Sequence, residues 1–119
     1  PHAAGAAFAA TAEQHHLTVL EYFMLDFAGH REPERVPAAL VELDAFVSGY
    51  RRAAASSTLV ICSDHGNAEE PWHTRHTRNP VPFIACGPAA HTVPAMTSIA
   101  DLSGWLRVVL ADVPVETRA

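Results

Sequence analysis

The sequence predicts an α/β fold, a layered and mainly parallel sheet with flanking helices. Three observations carry that prediction. Residues 17–25 read Leu-Thr-Val-Leu-Glu-Tyr-Phe-Met-Leu, a nearly continuous apolar run of the kind that suits a strand covered on both faces. Thr58-Leu59-Val60-Ile61-Cys62 and Val81-Pro82-Phe83-Ile84-Ala85-Cys86 are short apolar runs bounded by turn residues, and such runs read as buried strands. Between the first run and the second lies a helical pattern, and strands separated by a helix run parallel.

Taken in order, residues 1–16 are alanine-rich and end in Glu13, Gln14, His15 and His16. High alanine favours a helix, and the two histidines read as solvated. The run at 17–25 follows, closed by Asp26-Phe27-Ala28-Gly29-His30, a carboxylate and an imidazole around an expected glycine turn. After a charged, proline-bearing stretch, Val36, Leu40, Leu43, Val47 and Tyr50 recur at spacings of four, three, four and three, the stripe of an amphipathic helix. Residues 53–57 are expected to turn the chain into the second strand. A polar loop spans 63–80, the third strand follows, and Gly87-Pro88 breaks it. Ser98-Ile99-Ala100-Asp101 resembles a capping box. It introduces a last helix with Ile99, Leu102, Leu106 and Val109 on its apolar face and Trp105 as a packing residue.

Composition narrows the partners. A chain of 119 residues is one domain at most. Hydrophobic content of 49% against 18% charged residues argues for a packed core and against disorder. Net charge is −5 and every basic side chain is an arginine, which argues against nucleic acid and against a membrane surface. No apolar run approaches the roughly 20 residues of a spanning helix. Cys62 and Cys86 read as small buried thiols, and without a disulfide framework a reducing, cytoplasmic setting is expected. Eight histidines are many for this length and hint at metal chemistry.

The loop Ser63-Asp64-His65-Gly66-Asn67-Ala68-Glu69-Glu70-Pro71-Trp72-His73-Thr74-Arg75-His76-Thr77-Arg78-Asn79-Pro80 concentrates that chemistry. In α/β sheets ligands bind beyond strand ends, so Asp26 with His30, Asp64 with His65, and the pair His73 and His76 are expected to converge. Mixed oxygen and nitrogen donors suit zinc or manganese better than calcium. More than four such ligands exceed one tetrahedral ion, and two ions roughly 3.5–4 Å apart serve phosphoryl transfer. From spacing alone, a metal site and a set of surface histidines with turn-capping aspartates stay equally open.

Asp64-His65-Gly66-Asn67-Ala68-Glu69 with His73-Thr74-Arg75-His76-Thr77-Arg78-Asn79-Pro80-Val81-Pro82 resembles the C-terminal motif of the cofactor-independent phosphoglycerate mutases. More broadly, it is similar to the metalloenzyme domain of the alkaline phosphatase superfamily. Leu25-Asp26-Phe27-Ala28-Gly29-His30 resembles the upstream motif of the same family, and the resemblance covers roughly residues 17–110. It implies an alkaline-phosphatase-like C-terminal portion that binds two divalent ions, manganese or zinc, with magnesium an alternative. Asp26, His30 and His76 would hold one ion, and Asp64 and His65 the other. Asn67, Glu69, Asn79 and His73 would support the ligands, while Arg75 and Arg78 would face an anionic substrate. The implied activity is metal-dependent phosphoryl transfer on a phosphorylated small molecule, by a phosphatase or a phosphomutase.

The resemblance also implies an Asp and a Ser or Thr nucleophile upstream, and nothing before Asp26 matches them. Residues 1–119 are therefore expected to be one metalloenzyme-type domain, the C-terminal segment of a larger catalytic domain, inactive when isolated. Its missing partner is an N-terminal segment or a second chain. The competing reading is a non-catalytic metal-binding or assembly module that needs a partner chain.

Overall fold

The computed structural model describes residues 1–54, 56–73 and 75–111. The expected turn at 53–57 includes residue 55, and the expected site loop includes residue 74. Both lie outside the described residues.

Helix α1 covers His2–Ala12, as the alanine content requires, and His15 and His16 beyond it are exposed. Helix α3 covers Val36–Ala53 and contains the whole predicted stripe. Pro37 stands in its first turn, where a missing N–H costs nothing. The two helices cross with their backbones in contact. A β-carbon on Gly5 would collide with the Phe46 carbonyl, and one on Gly49 with the His2 carbonyl. Phe8 fills the rest of this contact, its ring 5.8 Å from Phe46 and 5.7 Å from Tyr50. Tyr50, Ala9 and Ala54 are buried there, flanked by Leu59. Along the same stripe Leu40 stays half exposed, while the α1 contacts named above fall at Phe46, Gly49 and Tyr50.

Two expectations fail between α1 and α3. Residues 17–22 form no strand, and from Phe23 the chain is helical, as α2 over Phe23–Arg31. The expected glycine turn is therefore helix interior. A strand needs a neighbour to satisfy its N–H and C=O groups, and the described residues supply none beside 17–22. That segment is instead pinned by the Tyr22 hydroxyl, which donates to the Ala39 carbonyl at 3.1 Å.

Strands β1 (Leu59–Cys62) and β2 (Phe83–Cys86) fall where predicted. They pair antiparallel, Leu59 opposite Cys86 and Cys62 opposite Phe83, and they are the whole sheet among the described residues. The fold is thus α/β, with a small antiparallel sheet. Neither strand is covered on both faces. Ile84 is half exposed, and Cys62, expected as a buried thiol, is exposed.

A 3-10 turn (Pro88–Thr92) leads to α4 (Ala100–Ala111). The capping box forms. Asp101 accepts from the Ser98 and Thr97 N–H groups at 2.9 Å, and Ser98 Oγ accepts the Ala100 N–H at 3.2 Å. Trp105 is buried, edge-on to Phe83, and donates through Nε1 to Thr92 at 2.9 Å. Packing is its role, as expected. No helix among the described residues is long and apolar enough to cross a membrane.

Candidate metal centre

Helix geometry builds the first piece of the site. Residues four apart share a helix face, so α2 sets Asp26 and His30 side by side, Oδ1 to Nε2 3.4 Å. Gly29 lies between them and is buried. A β-carbon there would strike the Asn67 side-chain amide, so glycine lets the loop after β1 lie directly on α2.

That loop supplies the second piece. Ser63 closes the turn by donating to the His65 carbonyl at 2.7 Å. Asp64 faces largely into solvent, its Oδ2 3.5 Å from His65 Nε2. Gly66 then pairs with Thr77 in an isolated antiparallel bridge, with the Thr77 N–H on the Gly66 carbonyl at 2.8 Å. This bridge delivers the third piece, His76. Its ring stacks on His65 at 3.5 Å with 17° between planes, and its Nε2 stands 3.0 Å from His30 Nε2.

Asp26, His65 and His76 each point one donor atom into a space where those atoms lie within 4.8 Å of one another. Asp26 Oδ1 is 3.9 Å from His65 Nε2 and 4.0 Å from His76 Nε2. These separations exceed hydrogen-bond lengths. They are also a few tenths of an ångström wider than the about 3.3–3.6 Å between tetrahedral ligands held ~2.0–2.2 Å from a zinc-like ion, a gap that small side-chain shifts would close. Nitrogen and carboxylate oxygen together fit a divalent ion of the zinc or manganese kind. His65 Nδ1, the ring nitrogen turned away from Asp26 and Asp64, is buried with no hydrogen-bond partner among the described residues.

The supporting residues divide into those at the centre and those away from it. Asn67 is buried and donates through Nδ2 to Asp26 Oδ1 at 3.0 Å. Glu69 accepts from the Asn67 N–H at 2.7 Å, from Asn79 Nδ2 at 3.0 Å and from the Thr77 hydroxyl. The Thr77 hydroxyl is the largest cause holding its carboxyl down at about 2, because each donor stabilises the ionised form. Asn79 also binds Glu70 at 2.8 Å. His73 is turned to the Arg75 carbonyl, 3.0 Å from Nδ1, and is not among the grouped ligands. Arg75 and Arg78 are exposed. Sequence reasoning gave Thr77 no part and read Gly29 only as a turn. Their only signal was position, each next to a candidate ligand within a motif.

A model of the Metalloenzyme superfamily matches residues 3–113. The chain is 30% identical over 116 residues to the 2,3-bisphosphoglycerate-independent phosphoglycerate mutase of Legionella pneumophila, covering 89% of this chain and 23% of that protein. It is 34% identical over 109 residues to the protein of the same name from Natronomonas pharaonis, covering 81% and 22%. The Ehrlichia canis protein of that name is 34% identical over 84 residues, covering 62% and 17%. The chain thus spans less than a quarter of the length of these relatives. No solved structure matches it.

Proposed function

Because this chain belongs to the Metalloenzyme superfamily, we propose that it is the metal-binding part of a metal-dependent phosphoryl-transfer enzyme. Its substrate class is a phosphorylated small molecule, as the names of its phosphoglycerate mutase relatives suggest. The observation that carries the reading is convergence. Ligand atoms of Asp26, His65 and His76, from two motifs about forty residues apart, share one space, with His30 and Asp64 beside them.

In this reading Asp26, His30 and His76 hold one divalent ion and Asp64 and His65 share in a second. Bound ions of this kind stabilise charge on phosphoryl oxygens and lower the pKa of a bound hydroxyl. The chain's own residues bind and orient. Helix α2 fixes Asp26 against His30, Asn67 fixes the Asp26 carboxylate, and the Gly66–Thr77 bridge fixes His76 over His65. The hydroxyl nucleophile and the other ligands of the second ion come from a segment outside residues 1–119, in the same polypeptide or a partner. Arg75 and Arg78 remain the groups available to an anionic substrate.

A second reading is favoured by the apolar residues left open at Leu17, Val19, Leu20 and Phe23. It makes the chain a non-catalytic metal-binding module that a partner covers.

Metal analysis of purified protein tests the first reading. Bound manganese or zinc should be present in the wild type and fall sharply in Asp64→Ala and His76→Ala, with the far-ultraviolet dichroism retained. Wild-type metal at background would sink it. Turnover of a phosphorylated substrate by the longer polypeptide would exclude the second reading.

A further inference from the structure

Two ligand-bearing segments of the loop run side by side, yet one backbone hydrogen bond, Thr77 N–H to Gly66 carbonyl, holds their bridge. Besides the His65–His76 stack and an Asn79–Glu70 hydrogen bond, the ties pass through one carboxylate. Glu69 Oε2 takes the Asn67 N–H, two residues beyond His65, and Oε1 takes the Thr77 hydroxyl, one residue beyond His76. Asn79 Nδ2 adds a further bond to Oε1. Asn67 in turn holds Asp26 at 3.0 Å. Through Asn67 the Glu69 carboxylate is thus linked to α2, alongside the direct approach of His76 Nε2 to His30 Nε2 at 3.0 Å. Gly66 lies against both partners, and a β-carbon there would strike Thr77 Oγ1 and Glu69 Oε1.

We propose that Glu69 is a positioning residue, a carboxylate clamp that sets the His65–His76 ring separation and so the spacing of ligands taken from different parts of the loop. Both of its oxygens are occupied by donors, and it lies outside the Asp26, His65, His76 group. It therefore acts through Thr77 and Asn67 and not as a ligand. Gln in its place keeps the size but sets an N–H2 donor against either the Asn67 N–H or the Asn79 N–H2, so it cannot keep all the bonds that the carboxylate accepts, and one jaw loosens.

This inference rests on the metal-binding reading above, and the experiment separates the two. Manganese is titrated calorimetrically into the wild type and into Glu69→Gln, Thr77→Val, Thr77→Ser and the Glu69→Gln/Thr77→Val double variant. Loss of such a supporting contact costs about 10- to 100-fold in metal affinity. That loss is expected for Glu69→Gln and Thr77→Val, while Thr77→Ser, which keeps the hydroxyl, stays near wild type. The double variant should lose less than the product of the two single losses, because both changes loosen one clamp. Without metal, the His65 and His76 ring-proton shifts should move in Glu69→Gln and Thr77→Val as the stack opens, and hold in Thr77→Ser. Wild-type affinity in Glu69→Gln, unchanged ring shifts, or losses that multiply in the double variant would overturn the clamp. Wild-type protein that takes up no manganese would overturn the metal reading instead, whatever the variants do.

Discussion

Glu69 is the residue whose ionisation the loop depends on. Its carboxyl is drawn from 4.5 to about 2, first by the Thr77 hydroxyl and then by its own backbone N–H. Asn79 and the Asn67 N–H add smaller shares, and partial desolvation opposes them. The sign follows from linkage. A pKa lower in the folded than in the unfolded state stabilises the fold in full above about 4.5, and that stabilisation is lost as pH falls toward about 2. Carbon-detected titration of Glu69 should give a midpoint near 2, and Thr77→Val should move it up toward the ordinary carboxylate range. In Glu69→Gln the acid unfolding curve should flatten across that window. At this scale the candidate ligands were legible because a motif carries residue types and spacing together. Thr77 and Gly29 were not, since a hydroxyl accepted by Glu69 and a missing β-carbon against Asn67 have meaning only after folding.

At the scale of elements, the α1–α3 crossing decides where the core sits. Gly49→Ala would ordinarily gain about 0.8–1 kcal/mol in helix propensity. Here the added methyl meets the His2 backbone, and overpacking costs about 1–3 kcal/mol, so collision wins. Gly104 in α4 is the control, since a β-carbon there has nothing within 4 Å. Thermal unfolding should therefore show Gly49→Ala less stable than wild type and Gly104→Ala more stable by about 0.5–1 kcal/mol. A rise in Gly49→Ala would refute the close crossing. The helical stripes and both short strands could be read from periodicity, which is a local property. The run at 17–25 misled because its apolarity reports burial expected against neighbours, and strand formation depends on a partner that the described residues do not place there. Its last three residues, followed by Asp26-Phe27-Ala28, instead enter α2. The consequence favours the site, since an i, i+4 helical pair holds Asp26 against His30 more firmly than a glycine turn would.

For the molecule as a whole, the buried hydrophobic set is thin. Among the described residues it comprises Ala9, Ala28, Ala39, Ala54, Tyr50 and Trp105, and four alanines contribute little of the ~25 cal/mol per Å² that burial supplies. Large apolar side chains such as Val19, Phe23 and Met24 stand open on the α2 side. The candidate ligands come from α2, from the end of β1 and from the segment before β2, elements that no large buried side chain ties together. An ion held by Asp26, His30 and His76, with a second on Asp64 and His65, would cross-link them in the folded state alone. Binding to the native state stabilises by about 2.7 kcal/mol when free metal is a hundredfold above Kd. For a domain near this size that amounts to a rise of about 10 °C in Tm. Scanning calorimetry with manganese, repeated after chelation with EDTA, should show the rise and its reversal. His76→Ala should respond weakly, and Arg78→Ala, which removes no candidate ligand, should respond like wild type. A wild-type Tm indifferent to manganese at millimolar concentration would mean that these side chains meet without sharing an ion.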